Sequence, residues 1–97
     1  MLRALSLLLL TIAVAACTTP PVQEMSDARQ AIAAAEQASA GKVAPESLND
    51  ARRFLSDAER QIQEEAYGPA RMNAVRAKNR AGQALRASQA PAEPKER

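Results

Sequence analysis

The sequence contains no histidine and no tryptophan, and only one tyrosine, one phenylalanine and one cysteine. Each shortage closes off a class of chemistry. Without histidine the ordinary general base near neutral pH is missing. A single thiol forms no internal disulfide, and thiolate and imidazole donors for a zinc site are lacking. A metal site would have to be built from carboxylates alone. So few aromatic rings leave little on which nucleobases stack, and no nucleic-acid partner is expected. Long apolar runs are missing as well. The longest, Leu5 to Val14, is interrupted only by Ser6 and Thr11, and it falls short of the ~20 residues that span a bilayer. The chain is therefore read as non-enzymatic, with no cofactor, no metal and no small-molecule substrate.

What is present begins with that short run. Met1 to Arg3 are basic, Leu5 to Val14 are apolar, and Ala15 and Ala16 are small. This is the layout of a secretory signal. An ordinary signal closes on a pattern like Ala-x-Ala. Here the pattern is Val14-Ala15-Ala16-Cys17, which resembles the lipobox of bacterial lipoproteins. The resemblance implies cleavage between Ala16 and Cys17, a diacylglyceryl group on the Cys17 sulfur and acylation of the new amino terminus. Each buried acyl CH₂ contributes ~0.8 kcal/mol, and stable anchoring takes more than one chain. The expected place is the envelope of a Gram-negative bacterium. Thr18 in place of an aspartate favours the outer membrane, facing the periplasm.

The rest of the chain divides readily. Residues 1–16 read as the signal peptide and 17–21 as the acylated cysteine and a stiff tether, with Pro20-Pro21 favouring extended geometry. Residues 22–90 read as the helical domain and 91–97, "PAEPKER", as a disordered tail. Pro21, Pro45 and Pro69 recur 24 residues apart. Proline suits a helix's first turn and breaks its interior. The spacing predicts helices from about Val22 to Ala40, stopped by Gly41-Lys42, then from Pro45 to Ala66, and from Pro69 to Ala90. An echo supports a repeat: Asp27-Ala28-Arg29 precedes Ala35-Glu36 as Asp50-Ala51-Arg52 precedes Ala58-Glu59.

Apolar residues recur at helical spacing. Met25, Ala28, Ile32 and Ala35 line one face of the first helix, and Leu48, Ala51, Leu55, Ala58 and Ile62 one face of the second. The third carries a seam of Ala70, Ala74, Ala77, Ala81, Ala84 and Ser88. Small residues let helices approach closely. The fold class is all-α, a small Ala-rich antiparallel three-helix hairpin or bundle. The larger apolar residues, among them Val22, Val43, Met72 and Val75, form a thin expected core. Self-association or docking on another envelope protein would complete its burial.

Charge is partitioned. The first two helices are acidic on balance, while the third holds Arg71, Arg76, Lys78, Arg80 and Arg86 and no acid. Those five cations form a candidate face for an anionic partner, or they set the bundle's register by pairing with its acids. Adjacent carboxylates such as Glu64 and Glu65 point in different directions on a helix and read as surface charge.

Ala44-Pro45, then Ala51, Leu55 and Ala58, then Tyr67, Ala70 and Arg71 resemble a helical bacterial envelope family known as domain of unknown function 4398. Its members often follow a lipoprotein signal. The resemblance covers most of the mature domain and implies no activity. Gly68-Pro69, between Tyr67 and Ala70, departs from its pattern. Tyr67 is expected to cap the turn, with Arg71 reaching solvent. The expected role is structural, a membrane-anchored scaffold or adaptor. The alternative is a binding module for lipid headgroups, lipopolysaccharide or cell wall. Direct murein linkage fits poorly, because the chain ends Lys95-Glu96-Arg97 rather than in lysine.

Overall fold

The computed structural model describes residues 19–90. The signal segment, Cys17, Thr18 and the expected tail from Pro91 lie outside the described residues. Among those described there are four helices and no strand: α1 Val22–Gln37, the single turn α2 Ala40–Val43, α3 Pro45–Gln63 and α4 Tyr67–Gln89. The all-α expectation is met.

Cross-helix pairs fix the directions. Arg29 of α1 meets Glu59 of α3 at 3.6 Å, and Glu36 meets Arg52 at 3.3 Å, so α1 and α3 run antiparallel. The two pairs join the halves of the sequence echo reciprocally: each Asp-Ala-Arg arginine reaches the other repeat's Ala-Glu glutamate. α4 runs antiparallel to α3, with Asn73 donating to Gln61 Oε1 at 2.8 Å at one end and Arg80 meeting Asp50 nearer the other. It packs along both α3 and α1, which touch each other far less.

That central position explains the alanine seam. Ala70, Ala74, Ala77, Ala81 and Ala84 are all fully buried. A helix packed on two sides needs a wide inner face, and methyl side chains let both neighbours come close. The expected faces of α1 and α3 are buried as well, through Met25, Ala28, Ile32, Ala35, Leu48, Ala51 and Ala58, with Leu55 and Ile62 half-buried. One cluster gathers Ile32, Ala40, Leu48, Ala81 and Ala84 near the α1–α3 turn. The other gathers Met25, Ala58 and Ala74 toward the opposite end. Ser88, read as part of the seam, is only half-buried and donates to Leu85 O.

The expected core of large side chains is corrected at four positions. Val22, Val43, Met72 and Val75 are 73, 60, 56 and 42% exposed. Met72 and Val75 fall outside the angular sector that the seam occupies on α4.

The helix ends differ from expectation too. α1 stops at Gln37, before Gly41-Lys42, and the turning residue is Ser39 at φ 58°. Gly41 lies inside α2. α3 stops at Gln63 through Glu65 at φ 59°. There Glu65 N–H donates to Ile62 O at 3.0 Å and Ala66 N–H to Gln61 O at 2.8 Å. These two bonds make a Schellman ending, which glycine usually supplies. α4 starts at Tyr67, so Gly68-Pro69 opens the helix instead of interrupting the chain before it. Pro69 is its third residue, where a missing N–H leaves no helical bond unmade. Pro21 departs from the extended tether geometry. It is buried, with φ −80° and ψ 64°, and Val22 N–H donates across it to Pro20 O at 2.9 Å. That is an inverse γ-turn directly before α1.

Candidate functional site: the basic helix and the end that faces the tether

The five cations of α4 do not share one face. At 3.6 residues per turn Arg71 lies within roughly 20° of Lys78, while Arg76 and Arg80 lie roughly 160° around from it. Two of them are engaged within the fold. Arg80 bridges to Asp50, which Arg53 also holds. The two guanidiniums, through hydrogen bonds first and charge second, keep the Asp50 carboxyl below its ordinary value of 3.8. Arg71 Nε donates to Glu24 Oε1 at 3.2 Å, and both side chains are about one-third exposed. The expectation that Arg71 simply reaches solvent is therefore corrected.

The other three lack an acidic partner among the described residues. Arg76 Nη1 donates to Asn73 Oδ1 at 3.3 Å. Lys78 and Arg86 flank a shallow groove that Ala31 of α1 shares with Gly82 and Gln83 of α4. Pairing within the bundle therefore describes Arg71 and Arg80, while Arg76, Lys78 and Arg86 have no acid against them among the described residues.

Arg71 has a further contact. Its Nη2 donates to Thr19 O at 3.4 Å. This clasp holds the start of α4 against the segment that leads into α1. Beside it, Gly68, Arg71, Met72, Val75 and Arg76 line a shallow, mainly apolar depression. Glu24 and Asp50 are not legible as partners in the sequence, because such pairs depend on how neighbouring helices register. Met72 and Val75, which the helical spacing sets beside the alanine seam, were counted in the thin core and lie outside it.

The remaining carboxylates behave as expected of surface charge. Asp57 and Glu64 both pair with Arg60, and Glu59 pairs with Arg29. Among the described residues no group of three or more acidic or cysteine side chains is arranged to hold a metal. None of the described helices is long and apolar enough to cross a membrane. Cys17 and Ala16, the expected lipidation and cleavage positions, lie outside the described residues.

The family model described as "Domain of unknown function (DUF4398)" matches residues 23–97, most of the chain. No curated protein and no solved structure matches it.

Proposed function

This chain belongs to the family of that domain of unknown function, and from that premise we propose that it is a lipid-anchored envelope protein whose helical bundle serves as a structural or adaptor module. The observation that carries the reading is the coincidence of a basic start, a short apolar run and Val14-Ala15-Ala16-Cys17 immediately before a bundle that starts at Val22. A bundle with an alanine core offers surface and little interior, which suits docking better than catalysis. Fractionation of a Gram-negative host tests the reading. The wild-type chain should sediment with membranes and resist extraction by salt, and Cys17→Ala should be released or retained as an unprocessed precursor. Wild-type chain recovered in the soluble fraction would overturn it.

A second reading, recognition of anionic envelope material, is favoured by one observation: Arg76, Lys78 and Arg86 carry no acidic partner among the described residues. It no longer involves all five cations. Replacing Arg76, Lys78 and Arg86 together with Gln should abolish salt-sensitive binding to anionic liposomes. Unchanged binding would refute it.

A further inference from the structure

Large apolar side chains on the outside of a domain with so few of them call for a reason. Met72 and Val75 are 56 and 42% exposed on α4, while its fully buried residues are all alanines, with the half-buried Leu85 packed beside them. They are flanked by Arg71 and Arg76 along the depression that opens at Gly68. No acidic residue occurs anywhere on α4.

The position of this patch is fixed relative to the chain's entry point. Arg71 holds Thr19 O at 3.4 Å. Two residue steps lead from Thr19 back to Cys17, a span of at most ~7 Å even when fully extended. Along α4, Met72 and Val75 lie roughly 1.5 and 6 Å beyond Arg71, and Arg76 roughly 7.5 Å beyond it. The headgroup zone of one leaflet is itself about 5–8 Å deep. A cysteine held at the bilayer surface therefore leaves the first turns of α4 within reach of that zone.

We infer that the start of α4 is a membrane-contact surface: Met72 and Val75 enter the headgroup boundary of an anionic bilayer, and Arg76 meets lipid phosphates beside them. This rests on the proposed acyl anchor at Cys17 and specifies how the bundle sits once anchored. Interfacial binding of this kind combines buried apolar area with attraction to anionic lipid. The patch supplies apolar area and the Arg76 charge, and the Glu24 carboxylate beside it is paired with Arg71. Arg71 stays neutralised by Glu24 and acts as the clasp that sets the distance. The opposite end of the bundle also pairs an exposed apolar side chain with a cation, Val43 with Lys42, and is set apart by its distance from the tether. Val43 sits on the far side of the fold from Thr19, next to the α1–α3 turn.

The test uses the full chain, made in a Gram-negative host fed an alkyne fatty acid and placed in nanodiscs of phosphatidylcholine with phosphatidylglycerol. Acylation blocks the native thiol, so Val75→Cys and Val43→Cys each carry one environment-sensitive dye at a single place. The dye at position 75 should shift to the blue and be quenched at least two-fold by headgroup-region spin-labelled lipid. The dye at position 43 should do neither. Adding Arg76→Gln should weaken the quenching at position 75, and so should replacing phosphatidylglycerol with neutral lipid. An acylated chain whose position-75 dye reports water overturns the inference and leaves the anchor standing. A blue shift without quenching means that protein covers the patch, and it overturns the inference equally. A chain carrying no alkyne label overturns the anchor and this inference with it.

Discussion

The two faces of α4 sort side chains by size in opposite senses. Inside are five buried alanines, and outside are Met72 and Val75 among Arg76, Lys78 and Arg86. A helix that merely completed a hydrophobic core would place its largest apolar residues inward, where each contributes ~1.5–3 kcal/mol. α4 instead uses its inner face for closeness and leaves Met72 and Val75 on its outer one. The contrast teaches that close packing and exposed apolar area are drawn from different residues of one helix, so each is open to change without the other.

The inner arrangement should break most easily at the few large side chains it does bury. Leu48 is 1% exposed and packs with Ile32, Ala81 and Ala84 in one cluster. Leu48→Ala should cost about 2–5 kcal/mol, enough to unfold a domain of this size at ordinary temperature, as read by circular dichroism. Overfilling the seam comes next. Ala77→Leu should destabilise by about 1–3 kcal/mol, whereas Val75→Leu, two residues away on the outer face, should stay within about 0.5 kcal/mol. Equal urea midpoints for those two variants would erase the distinction between the faces.

Smaller effects sharpen the same picture at the helix ends and between helices. Glu65 holds a left-handed conformation that costs an L-residue ~1–2 kcal/mol, and its side chain is exposed. Glu65→Gly should raise stability by about 0.5 kcal/mol after the added freedom of the unfolded chain is subtracted. The smallest effect concerns pH. Asp50 has its folded pKa lowered beneath 3.8 by Arg80 and Arg53, so its contribution is complete above that value and is lost as pH falls through the lowered one. Asp50→Asn should remove this dependence. The melting difference between wild type and variant should narrow below pH 3.8, and a difference constant from pH 3 to 7 would contradict the pairing.

The helical faces were legible because burial follows a 3.6-residue period. Met25, Ala28, Ile32 and Ala35, and then the seam from Ala70 to Ala84, are found where that period places them. The ends were less legible. Gly41 resembled a stop, yet Ser39 and Glu65 make the left-handed turns, since packing of the next helix can impose a conformation the residue itself disfavours. The candidate basic face was half legible. Composition revealed that α4 is basic, but only the register between helices decides that Glu24 takes Arg71 and Asp50 takes Arg80 while Arg76 meets no acid among the described residues. The reciprocal pairs of α1 and α3 had a visible trace in the repeated Asp-Ala-Arg and Ala-Glu, whose meaning emerged once the two helices were seen to run antiparallel.

The most direct test of the whole account is the intact mass of the chain purified from host membranes in detergent. The account predicts a polypeptide that begins at Cys17 and carries the added mass of a diacylglyceryl group with a further acyl chain. A polypeptide that still begins at Met1, or one that begins elsewhere with an unmodified Cys17 thiol, would contradict it.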